Sequence, residues 1–134
     1  MVPLDTSVGF PAYGEYGTDY TYTTGQSYVT INTAGTYEVT FNAGYTSTTQ
    51  RWNGILKIYK GTSGGTPNAW IGYGASKHGY VRASSGHEDA SLILTCLVTC
   101  NANDTLAGHI AREAANGDCD LVANETFMTI KRVD

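Results

Sequence analysis

Charge is what this sequence has least of. Only 15% of its 134 residues are charged, and 8 lysines and arginines stand against 12 aspartates and glutamates, a net charge of −4. The basic residues are scattered and form no stripe that could neutralise a phosphate backbone, which excludes nucleic acid as a partner. Long apolar runs are missing as well. The longest, Leu92 to Val98, is broken by Thr95 and is far shorter than the roughly 20 residues of a membrane helix. The first ten residues hold no basic cluster followed by an apolar segment, so no secretory signal is read there and a soluble protein without a membrane partner is expected. Cysteine is scarce and odd in number, at three. Cys96 and Cys100 fall in one predicted strand, where a rise of roughly 3.3 Å per residue holds their Cα atoms about 13 Å apart, too far for a disulfide. Buried, reduced thiols are the expectation.

Helical periodicity is absent too. No window of a dozen residues repeats apolar side chains at 3.6, whereas short runs of β-formers separated by Gly, Asn, Asp or Ser recur along the whole chain. What is abundant fits that pattern: 16 glycines, 10 tyrosines and recurrent threonine suit pleated surfaces joined by tight turns. One all-β domain is expected, preceded by an arm or edge segment over residues 1–23, with the domain proper at 24–134. Pro3, Pro11 and several glycines mark the arm as extended.

Strands are predicted at 19–23, 28–31, 35–43, 53–60, 69–73, 79–83, 90–100, 105–114 and 126–133, with a turn over Gly74 to His78. In the clearest, Tyr37, Val39, Phe41 and Ala43 alternate with Thr36, Glu38, Thr40 and Asn42, so one face is buried and the other is polar. The segment 90–100 is apolar on both faces: Leu92, Leu94, Cys96 and Val98 on one, Ile93 and Leu97 on the other. Both faces must be covered, one by the opposite sheet and one by a loop or a neighbouring subunit. The last strand, lying at the chain end, is expected at the centre of a sheet, where it would not fray. This count of strands, at spacings of roughly 8 to 12 residues, predicts a two-sheet antiparallel jelly-roll sandwich.

Three segments carry a resemblance. Ala34-Gly35-Thr36-Tyr37-Glu38-Val39-Thr40-Phe41, the run from Leu92 to Leu106 with Asn103-Asp104 at its turn, and the closing Thr126-Phe127-Met128-Thr129-Ile130-Lys131-Arg132-Val133 resemble, in order and spacing, the jelly-roll domain of the complement globular heads and tumour necrosis factor-like proteins. Asn103 stands where that family favours Gly. The resemblance implies a homotrimer whose inner sheets pack around a three-fold axis. It also implies a setting in bacteriophage virion proteins, where such domains serve as capsid decoration proteins and fibre tips.

Candidate chemistry is thin. His78, His87 and His109 lie in separate segments, none with a second ligand at metal spacing. Ser84-Ser85-Gly86-His87-Glu88-Asp89 has the residue types of a nucleophilic site without its strained-turn motif. Asn116-Gly117-Asp118-Cys119-Asp120 opens like a calcium loop, but Leu121 and Phe127 stand where Gly and Glu are required. An irregular calcium site on Asp104, Asp118 or Asp120 is the weaker reading of that loop. No catalytic residue, metal or cofactor is assigned. Tyr13, Tyr16, Tyr20 and Tyr22 of the arm are expected to dock on a neighbouring protein, with Ile93, Leu97, His109, Met128 and Ile130 completing subunit or partner contacts. Trp52, Trp70 and Tyr73 are the candidates for stacking on a ligand such as a glycan. The function expected is a non-enzymatic, homotrimeric capsid decoration protein of a virion, made in the host cytoplasm, whose partner is the major capsid protein or another virion protein. The alternative is a receptor- or glycan-binding tip of a phage tail or head fibre that binds host surface glycan.

Overall fold

Apolar side chains at every second position of a strand need a second layer to cover them, and here they draw two antiparallel sheets face to face. The computed structural model describes residues 2–3, 18–23, 25–82, 86–113, 119–122 and 125–134, with the side chains of 2–3, 72–74 and 76–78 left aside. Among them are β1 (Val2–Pro3), β2 (Tyr20–Tyr22), β3 (Val29–Ile31), β4 (Gly35–Thr46), β5 (Trp52–Gly61), β6 (Ala69–Val81), β7 (Asp89–Cys100), β8 (Thr105–Arg112), β9 (Asp120–Leu121) and β10 (Phe127–Arg132), and no helix. The six-stranded sheet runs β2-β3-β8-β5-β6 with β1 also on β8; the four-stranded sheet runs β10-β4-β7 with β9 also on β4. This is the expected jelly-roll sandwich.

The core lies between the sheets. On β4, Tyr37, Val39, Phe41, Ala43 and Tyr45 all point inward and are fully buried, joined by Leu92, Leu94, Val98 and Cys100 of β7. The six-stranded sheet answers with Ile31, Trp52, Leu56, Ile58, Leu106 and Ile110. Its glycines make room for the largest rings. Phe41 lies over Gly108, and Tyr45 lies over Gly54 and Gly79, with its ring tilted at 55° and 4.8 Å from that of Trp52.

The β7–β8 turn explains its own sequence. Asn103 adopts a left-handed φ of 69°, which asparagine tolerates better than other side chains and which accounts for Asn at a position where Gly is otherwise favoured. Asp104 then turns inward and accepts hydrogen bonds from the Asn101 amide at 2.8 Å and Lys60 Nζ at 2.8 Å. Lys60 Nζ also donates to the Thr99 carbonyl at 2.8 Å, so this group ties the two sheets together at one end.

Two expectations are corrected. β6 runs unbroken through the segment read as a turn at 74–78, because bulges absorb the extra residues. Lys57 faces Ala75 and Tyr59 faces Trp70, so a two-residue step on β5 meets a five-residue step on β6. β10 lies at an edge, paired only with β4 among the described residues. Its end is secured by other means than a central position: the Val133 amide donates to Thr36 O at 2.9 Å and the Thr36 amide to Asp134 Oδ1 at 2.8 Å. Arg132 reaches Asp134 at 3.5 Å and Asp19 at 3.6 Å.

Candidate functional site

Each sheet turns one face to the core and one outward, and the outward faces carry the candidate residues. On the four-stranded sheet, register sets the outward side chains in rows. Ile93, Asn42 and Phe127 form one row, Thr95, Thr40 and Thr129 the next, and Leu97, Glu38 and Lys131 the third. Ile93 is 59% exposed, Leu97 55% and Phe127 45%. Three of the polar groups between them are paired already: Thr40 and Thr95 share a hydrogen bond of 2.8 Å, and Asn42 Nδ2 donates to the Glu125 carbonyl at 2.6 Å. Covering these three groups strands no unsatisfied donor, whereas Glu38 and Lys131 need partners across any contact that covers them.

On this face Ile93 and Leu97 point outward, whereas the expectations for Met128 and Ile130 are corrected. Both side chains of β10 point inward and pack against the core, since a strand gives its more apolar face to the interior. Phe127, one position earlier in the alternation, takes the outward place that sequence reading did not give it.

The outward face of the six-stranded sheet lies on the opposite side of the sandwich. Here Trp70, 43% exposed, stands opposite Tyr59, and Lys57 stands opposite His109. Lys57 Nζ lies 4.3 Å from the Trp70 ring centroid. The rings of Tyr59 and His109 stack at 4.4 Å with an interplanar angle of 20°. Burial lowers the His109 pKa below its ordinary value of 6.5. His109 is thus on a different sheet from Ile93 and Leu97 and shares no contact surface with them.

Trp52 is fully buried against Tyr45, which corrects its assignment to ligand stacking: it occupies an inward position of β5. Tyr20 and Tyr22 are set opposite the buried Ile31 and Val29, and Tyr20 packs on the core of its own domain. Tyr13 and Tyr16 lie outside the described residues, as do the side chains of Tyr73 and His78. Lys57 and Tyr59 were not singled out in the sequence, although they alternate with Leu56 and Ile58 and so had to face outward.

Of the residues considered for calcium, Asp104 is committed to Lys60 and Asn101, Asp120 is exposed on β9, and Asp118 lies outside the described residues. Among the described residues, no three His, Cys, Asp or Glu side chains converge as a metal site would require. Ser84 and Ser85 also lie outside them. Cys96, Cys100 and Cys119 form no disulfide.

No known family's sequence profile matches this chain, and no curated protein matches it by sequence. Among solved structures, the Eiger tumour necrosis factor of S. frugiperda is similar, with a TM-score of 0.59 at 15% identity over 86% of this chain and 69% of that one. At that identity the likeness establishes the fold, a tumour necrosis factor-like jelly roll, and nothing about activity.

Proposed function

We propose that this protein is a non-enzymatic structural module that assembles as a homotrimer through the outward face of its four-stranded sheet and decorates a virion capsid. The observation that carries the reading is the face itself. Ile93, Leu97 and Phe127 stand exposed on it, and Thr40, Thr95 and Asn42 among them already hold hydrogen bonds. Sequestering each of these side chains contributes roughly 1–2 kcal/mol, repeated in every subunit. The opposed charges of Glu38 and Lys131 in adjacent register positions give such an interface a polar element that fixes orientation. The tumour necrosis factor-like fold supports the reading by analogy, and a jelly roll bound to an assembled lattice but not to free lattice subunits stabilises the lattice by mass action.

Light scattering coupled to size-exclusion chromatography tests the assembly: a mass three times the 14.3 kDa of one chain is expected, and a monomer that persists at high concentration removes the reading. Co-sedimentation with intact particles tests the setting.

A further inference from the structure

The opposite face carries a feature that trimer assembly leaves unused. Lys57 projects from the middle of the six-stranded sheet with its ammonium over the indole of Trp70. Its register neighbours on the flanking strands are Ala75 and His109, and no carboxylate among the described residues pairs with it. A cation is thus held against an exposed aromatic ring without a carboxylate partner among the described residues, in a chain whose net charge is −4. Beside it, Tyr59 and His109 are stacked and so hold a polar edge and a flat apolar surface in fixed positions.

We propose that Trp70, Lys57, Tyr59 and His109 form a shallow binding site for a pyranose that carries a carboxylate, such as a sialic or uronic acid. The carboxylate pairs with Lys57 Nζ, and the sugar ring lies against the exposed part of Trp70. Two properties of the patch favour this occupant. An indole 43% exposed offers surface to the C–H face of a pyranose while its surroundings remain wet, as aromatic residues with an apolar body and polar edge do at surfaces. An ammonium already set on the ring supplies the charge-assisted hydrogen bond that separates acidic from neutral sugars. The site is independent of the trimer reading, since its residues all lie on the sheet facing away from Ile93, Leu97 and Phe127.

The test is titration of the whole protein with sialyllactose, glucuronic acid and lactose, followed by tryptophan fluorescence and by saturation-transfer NMR on the sugar protons. Trp52 is fully buried, so a ligand-induced fluorescence change reports on Trp70. At low salt, at least one acidic saccharide is expected to bind about tenfold more tightly than lactose, with the preference shrinking as ionic strength rises. Lys57→Gln should bring that preference close to one, and Trp70→Ala should weaken all three sugars. Both side chains face outward, and far-UV circular dichroism should show both variants folded. Binding of sialyllactose alone or of glucuronic acid alone identifies the sugar class and supports the site. Equal binding of acidic sugars and lactose, binding that Lys57→Gln leaves unchanged, or no binding by any of the three at millimolar concentration overturns it.

Discussion

A glycine beneath an aromatic ring is a packing residue as much as a flexible one. Phe41 rests on Gly108, where a Cβ would come within 2.6 Å of Cγ, inside any ordinary carbon contact, and neither the ring nor the paired β8 backbone has room to retreat. Gly108→Ala is therefore expected to destabilise the fold by about 1–3 kcal/mol, the range for an overpacked core, read as a lower urea midpoint at unchanged slope. Asp104 gives a pH-dependent counterpart. Burial pushes its carboxyl up, but hydrogen bonds from Lys60 and the Asn101 amide, with the Lys60 charge, outweigh that and hold its pKa below the ordinary 3.8. A carboxyl depressed in the native state contributes stability that is complete above about pH 5 and is lost as pH falls through the native value. Asp104→Asn should cost about 1–3 kcal/mol at neutral pH and flatten the acid limb of the stability profile. A variant whose pH profile overlays that of the parent contradicts this account. Thiol chemistry follows the same burial: the Cys100 pKa is pushed up to about 11, chiefly by desolvation, and that of Cys96 is also raised. Native protein should react slowly with a disulfide reagent near about pH 8, and all three thiols should react at once in denaturant.

At the scale of elements, alternation was the legible quantity. The pattern of Tyr37, Val39 and Phe41 against Glu38 and Thr40 is a local property of a two-residue repeat, and β4 follows it through Tyr45. The double-faced apolarity of β7 likewise gave both the core residues and the outward Ile93 and Leu97. What escaped depends on partners distant in sequence. Whether Gly74 to His78 turns or continues is decided by β5 alongside, which supplies the ladder that makes a glycine-rich strand tolerable. Trp52 and Trp70 look alike as isolated aromatics next to loops, and only the register of β5 and β6 separates a fully buried ring from an exposed one. Met128 and Ile130 were read by composition, whereas the pleat decides, sending them inward and Phe127 out. Lys57 and Tyr59 acquire meaning only once β6 and β8 bring Trp70 and His109 beside them. The strand assignment also fixes what Leu97→Asp should do. A position 55% exposed tolerates the charge within the subunit, with unfolding free energy of the separated chain changed by no more than about 0.5 kcal/mol. An aspartate next to Glu38 in the proposed contact, by contrast, is a buried, unpaired like charge and should dissociate the trimer.

For the whole molecule, the two outward faces divide the work. The four-stranded sheet exposes Ile93, Leu97 and Phe127, and the six-stranded sheet carries a cation beside the exposed Trp70, so in the proposed trimer self-association through the first leaves three copies of the second facing outward. Such an arrangement makes stability a function of concentration, because only folded chains associate and mass action then draws the folding equilibrium toward the assembled state. The midpoint of thermal unfolding should rise with protein concentration in the parent. In Leu97→Asp it should be independent of concentration and should coincide with the parent's value at high dilution. Differential scanning calorimetry over a hundredfold range of concentration distinguishes the cases. A parent midpoint that does not move shows that Ile93, Leu97 and Phe127 are not covered by sister copies. A midpoint that moves equally in both proteins places the association on some other surface. Since the six-stranded face lies opposite, Leu97→Asp should leave the affinity for an acidic sugar unchanged per subunit while removing any gain from multivalent display, which separates the two faces in a single variant.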